Sequence, residues 1–239
     1  MRSFWLALFL AATLALALPL AASAIGLDVE AHAGGGLGIG LTNNSAETGS
    51  PRLALQGGIV ADLFLFNIGP VNLGLSTGLE YDNMNNHGST EGVPSGPPPA
   101  PTMTVDSDNN YVYLLIPFAI TSRTPLSQGM DLSVRLGGFY GFFLGGKVTN
   151  TKSDLAGSLP NVTLDSSNTP GSLIGLHFSG GVDFALGGGL FLSPSLLVDM
   201  GLTNINGTST SSYTFYNGKT YLDSLGSITL MVGIKYNVL

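Results

Sequence analysis

The chain has 239 residues, of which 34 are glycine and none is cysteine, and it carries 8 basic against 15 acidic residues for a formal charge of −7. The lack of cysteine excludes disulfide and thiolate chemistry. The acidic balance, with little clustering of Lys or Arg, excludes nucleic acid as a partner, and glycine without a strict three-residue period excludes collagen.

Residues 1–24 read as an export signal. Arg2 supplies a charged start, Phe4 to Leu18 an apolar core, Pro19 a break and Ala22-Ser23-Ala24 a small-residue cleavage site. The alternative is an uncleaved membrane anchor, for which the apolar core falls short of the roughly 20 residues a spanning helix needs. Cleavage after Ala24 leaves a domain from Ile25 to Leu239. Without Arg2, 7 basic residues face 15 acidic ones, a charge of −8.

From Ile25 to Thr42 the chain alternates. Odd positions are apolar (Ile25, Leu27, Val29, Ala31, Ala33, Leu37, Ile39, Leu41); even positions are polar or glycine (Asp28, Glu30, His32, Gly34, Gly36, Gly38, Gly40). A period of two is a strand with one apolar and one polar face. Its length exceeds the usual five or six residues of a soluble strand. Seven more segments follow, at roughly 52–66, 71–82, 111–122, 131–148, 173–186, 190–204 and 224–238. The fourth and seventh fill both faces and contain Pro117 and Pro194, where bulges are expected.

Long alternating strands behind an export signal predict an all-β fold, an eight-stranded antiparallel transmembrane β-barrel. Twelve charged residues within the strands are assigned to the polar face: Asp28, Glu30, Arg52, Asp62, Glu80, Asp82, Asp131, Arg135, Lys147, Asp183, Asp199 and Lys235. With the apolar face outward, all of them line the lumen, as they must where a lipid-facing charge costs roughly 2–4 kcal/mol. A soluble barrel would place its charges outside.

Connections alternate in length. Segments 67–70, 123–130 and 187–189 are short; 43–51, 83–110, 149–172 and 205–223 are long. Short periplasmic turns and long outer loops follow if the N-terminus is periplasmic. Loop 83–110 contains Gly96-Pro97-Pro98-Pro99-Ala100-Pro101 and is expected to be irregular. Tyr213–Tyr221 around Asn217-Gly218 reads as a hairpin, which either extends the wall or raises the strand count to ten.

Four stretches, Tyr113-Leu114-Leu115-Ile116-Pro117, Leu136-Gly137-Gly138-Phe139-Tyr140-Gly141-Phe142, Gly180-Gly181-Val182-Asp183 and Gly201-Leu202-Thr203-Asn204, come in an order and spacing that resembles the small outer-membrane β-barrel domain family often labelled "porin family", related in shape to the OmpX and OmpA barrels. Gly233, Tyr236 and Val238 resemble that family's C-terminal assembly signal. The chain departs from it at Met231 and in ending on Leu239 rather than an aromatic residue. The resemblance implies an eight-stranded barrel in the outer membrane, inserted by the outer-membrane assembly machinery. It implies no shared activity.

Three histidines remain to be weighed. His87 falls in a long loop, whereas His32 and His177 point inward. With Asp28, Glu30 and Asp183 they could form a triad or a metal site. The preferred reading is a network of lumen carboxylates and histidines satisfied by Arg135, Lys147 and Lys235, since an eight-stranded barrel is just filled by side chains and buried charges must pair. Asp106-Ser107-Asp108-Asn109-Asn110 could offer oxygens to Ca²⁺ but lacks the glycine and distal Glu of an EF-hand. No catalytic, cofactor-binding or metal residue is therefore assigned, and no cofactor is expected. The expected partners are outer-membrane lipid, the insertion machinery and an unknown surface ligand, with the protein a monomer. The expected role is structural or surface-interacting, carried by the outer loops. A narrow passive pore and a lipid-acting enzyme are the alternatives.

Overall fold

The computed structural model describes residues 26–41, 47–92, 103–152, 162–164, 172–203 and 224–238. The expected signal segment and the 213–221 hairpin lie outside them. Nine strands are described: β1 (Gly26–Leu41), β2 (Glu47–Ile68), β3 (Val71–Gly92), β4 (Met103–Ser127), β5 (Met130–Lys152), β6 (Val162–Leu164), β7 (Ser172–Gly187), β8 (Leu190–Gly201) and β9 (Ser224–Asn237). All pairings are antiparallel. Eight strands close a ring, β1-β2-β3-β4-β5-β7-β8-β9, sealed where β9 returns to β1; β6 adds three residues to the outer edge of β5.

The alternation in sequence becomes the two faces of the wall. Along β9, Ser227, Thr229, Met231 and Lys235 are buried, while Leu230, Val232, Ile234 and Tyr236 are exposed. Leu230 is 70% accessible, and Ile59, Ile120 and Leu136 exceed half. Such an apolar exterior around a polar interior is the inside-out pattern of a wall solvated by lipid. Tyr81, Tyr140 and Tyr236 face outward, where amphipathic rings suit the membrane interface; Tyr111 is instead buried inside.

At one end the strands are joined by two-residue turns, Gly69-Pro70, Gln128-Gly129 and Gly188-Gly189. Gly188 and Gly189 hold φ of 63° and 81°, the left-handed region that glycine enters without a Cβ penalty. This end, with the start of β1 and the finish of β9, is the one that the sequence pattern expects on the periplasmic side.

The other end is longer than the sequence pattern predicts. A barrel strand crosses the membrane in about 9–11 residues, yet β3, β4 and β5 run to 22, 25 and 23. Residues 83–92 and 103–110, expected as loop, pair with each other in continuous register from Asn83↔Val112 to Gly92↔Met103. Polar residues on paired strands above the membrane need no apolar face, so the periodicity that marks the span is missing there. The expected proline bulges are also absent. Register is unbroken past Pro117 and Pro194; each proline only interrupts pairing on one side, Pro117 toward β3 and Pro194 toward β7.

The register shifts fall elsewhere, at Pro51/Leu55 and Phe64/Phe66 in β2, at Pro125/Ser127 and Ala185/Gly187 beside the tight turns, and opposite Val112/Tyr113 in β5, where Leu144 is the extra residue. An extra residue exchanges the two faces of everything beyond it. Lys147, expected in the lumen, is therefore exposed on the outer wall. Arg52, expected on the lumen face, is likewise half-exposed, and both sit on the outer extension.

Candidate functional site: a filled lumen and an outer-wall groove

The lumen is filled in tiers. At the periplasmic mouth, Asp28 accepts hydrogen bonds from Arg123 (2.7 Å) and Asn237 (2.7 Å), and the Arg123 guanidinium lies 4.7 Å over the Phe64 ring. Above it, Arg135 of β5 grips Asp62 of β2 with two nitrogens, Nε to Oδ1 at 2.9 Å and Nη2 to Oδ2 at 2.7 Å. The same Nη2 reaches Glu30 of β1 at 2.5 Å. Lys235 donates to Asp183 (2.7 Å) and to Ser133 (3.1 Å), and Ser133 in turn donates to Asp183. Apart from Arg123 at the mouth, these charges are nearly inaccessible to water, so pairing is what makes their burial tolerable. The network expected from sequence is present for Arg135 and Lys235. Arg123, placed in a turn by the sequence pattern, is a member that parity with Thr121 could have identified.

A third tier holds Glu80, Asp82 and Asp199 with His32 and His177. His177 Nδ1 lies 2.8 Å from Asp199 Oδ1, and Gln56 donates to Asp199 Oδ2 at 2.7 Å. Ser227 donates to Asp82 at 2.9 Å. Glu80 stands between the imidazoles, 3.3 Å from His32 Nε2 and 4.0 Å from His177 Nδ1. Donor atoms of Glu80, His177 and Asp199 lie within 4.8 Å of one another. Asp28, Glu30 and Asp183 do not join a histidine in a triad. Asp28 is held by Arg123, Asp183 by Lys235, and Glu30 chiefly by Arg135, with His32 Nδ1 at 3.4 Å.

Toward the outer end the filling turns apolar. Met84, Tyr111, Tyr113, Leu115, Phe139, Leu173 and Leu225 form one buried cluster, with Phe143 packed against it. Tyr113 and Phe143 meet edge to face at 5.4 Å.

The second feature lies outside the wall. Across the extensions of β2, β3 and β4, Arg52 Nη2 and His87 Nδ1 both lie 2.8 Å from Asp108 Oδ1. His87 is thus a strand residue rather than a loop residue, and Asp108 sits in a paired strand rather than in a Ca²⁺-like loop. The hydrogen bond to His87, then the Arg52 guanidinium, hold the Asp108 carboxyl below its ordinary value. Beside this cluster is a groove of about 800 Å³ lined by Leu53, Asn85, Asn110, Val112, Leu144 and Lys147 as well as Arg52 and Asp108. Sequence reasoning missed it because both bulges that turn Arg52 and Lys147 outward lie in unremarkable stretches.

A closed antiparallel ring with an apolar belt and an ion-paired interior is a transmembrane β-barrel. A family model described as the outer membrane protein beta-barrel domain matches residues 22–207, and the chain belongs to that family. It is an outer-membrane protein. Among solved structures it is similar to Ail, the attachment invasion locus protein of Yersinia pestis (12% identity, 89% of this chain and 98% of that one, TM-score 0.39). It is also similar to Neisserial surface protein A (11% identity, 88% and 96%, TM-score 0.38). A third likeness is to a major outer membrane protein of Thermus thermophilus (14% identity, 88% and 99%, TM-score 0.41). No curated protein matches the sequence.

Proposed function

We propose that this barrel neither conducts nor catalyses, and that it works as a surface-interaction protein through the extracellular extension of β2 to β5 and the segments joined to it. The observation that carries this reading is the length of the strands. They continue beyond the membrane as a paired wall that bears the Arg52–His87–Asp108 cluster and its groove. A rigid scaffold carrying polar surface is where binding is usually found. The apolar cluster and the ionic tiers leave the lumen to its own side chains, which supports the surface reading over a pore. Along the extension and its loops, Glu47, Glu91, Asp106, Asp108, Asp154 and Asp165 outnumber Arg52, Lys147 and Lys152, so neutral or cationic partners are favoured.

The test uses proteoliposomes carrying the full barrel. Retention on polylysine-coated or neutral surfaces, abolished when 93–102 is replaced by a two-residue turn, with no retention on heparin, supports the reading. Stable channels in planar bilayers would transfer it to the pore. Release of fatty acid from labelled lipid A would transfer it to the enzyme.

A further inference from the structure

We infer that the third tier of the lumen is a binding site for one divalent transition-metal ion such as Zn²⁺, held by Glu80 of β3, His177 of β7 and Asp199 of β8, with His32 of β1 as a fourth donor.

The first observation is the donor set. One imidazole nitrogen and two carboxylates present atoms within 4.8 Å of one another, a span that side-chain rotation closes to bonds of about 2.0–2.2 Å. Mixed imidazole and carboxylate donors suit Zn²⁺ and its neighbours rather than the all-oxygen preference of Ca²⁺ or Mg²⁺.

The second observation is independent of spacing. Glu80 is 1% exposed, and its nearest donors are His32 Nε2 at 3.3 Å and His177 Nδ1 at 4.0 Å, neither aligned as a hydrogen bond. A buried carboxylate left with two imidazole nitrogens in poor hydrogen-bond geometry is costly, and a shared cation between them would satisfy all three groups.

The third is charge. In the lower tiers Asp28, Asp62, Glu30 and Asp183 each have an Arg or Lys partner, from Arg123, Arg135 and Lys235. Among the described residues, the charged partners of Glu80 and Asp199 are histidines only, and Asp82 has the Ser227 hydroxyl. Three carboxylates beside two imidazoles leave this tier with more acids than bases. An outer shell is already in place, since Gln56 holds the second oxygen of Asp199, as supporting residues orient ligands in metal sites.

His177 and Asp199 are register partners on adjacent β7 and β8, whereas Glu80 of β3 and His32 of β1 reach them only across the closed ring. Binding is therefore coupled to barrel closure, and the ion is enclosed between the Arg135 tier and the apolar cluster.

The experiment refolds the full barrel from denaturant into detergent with Co²⁺ present, then removes free ion by gel filtration in EDTA. About one Co²⁺ per folded chain is expected, with ligand-field bands of a four- or five-coordinate nitrogen-containing site. Glu80→Gln should lower retained Co²⁺ by about tenfold or more, whereas Lys147→Ala, on the outer wall, should not. Folding is checked by heat-shifted electrophoretic mobility. Folded wild-type protein retaining less than about a tenth of an equivalent, a spectrum matching the hexaaqua ion, or undiminished binding in folded Glu80→Gln overturns the inference. If Glu80→Gln does not fold, the wild-type stoichiometry and spectrum decide alone.

Discussion

Arg135 and Asp62 face each other across the lumen in a two-point grip, from strands three places apart in the ring and 73 residues apart in sequence. Glu30 completes the contact from β1. Arg135→Met keeps most of the volume but strands two carboxylates in a dry interior. The expected loss is about 3–5 kcal/mol, the usual cost of removing one partner of a buried pair. Adding Asp62→Leu should recover part of it. Urea unfolding in detergent or lipid measures both; a double variant no more stable than the single one would refute the pairing argument.

Leu230 is the most lipid-exposed residue of β9, between buried Thr229 and Met231. Leu230→Arg should cost roughly 2–4 kcal/mol in bilayers, while Leu230→Phe should stay within about 0.5 kcal/mol. Equal costs for the two would mean that this face does not meet lipid. Because Thr229 is fully enclosed, Thr229→Arg is expected to be damaging as well, through overpacking.

Two glycines should behave oppositely. A Cβ on Gly36 would collide with the Ile228 carbonyl oxygen on the neighbouring strand, where only backbone could yield; a Cβ on Gly145 would meet nothing within 4 Å. Gly36→Ala should therefore cost about 1–3 kcal/mol or prevent closure of the β1–β9 seam. Gly145→Ala should change stability by about 0.5 kcal/mol at most. Parallel refolding yields and denaturation midpoints distinguish them.

The Asp108 cluster predicts a weak acid sensitivity of the outer extension. A carboxyl held below its ordinary value stabilises the folded state above the unfolded value, and that contribution is lost as pH falls through the folded value. The part of this contribution that belongs to Asp108 should be lost only below the ordinary carboxylate range. Arg52→Ala should move the Asp108 midpoint upward, as NMR titration of its side chain would record. A midpoint indifferent to Arg52 would show that the 2.8 Å contact does not persist in solution.

Much of the barrel was legible because lipid and lumen impose opposite demands on alternate residues. β1 and β9 follow strict parity, and Glu30, Arg135 and Lys235 could be placed inward from it. Parity fails wherever one residue is inserted. Leu144 carries no mark of a bulge, yet it moves Lys147 from lumen to exterior. The extension of β3 and β4 was invisible because strands outside the membrane need no apolar face. The meeting of Glu80, His177 and Asp199 depends on the stagger between strands, which a list of alternating residues does not contain.

The hydrogen bond from Asn237 to Asp28 joins residues 209 positions apart, and those from Gln56 to Asp199 and Ser227 to Asp82 span 143 and 145. Contacts so remote in sequence are slow to find, because the entropy of loop closure is lost before they form. A chain lacking β9 has neither Lys235 for Asp183 nor Asn237 for Asp28, so two lumen acids lack a partner that the complete ring supplies. The ring, and with it these contacts, closes only when the last fourteen-residue strand is in place.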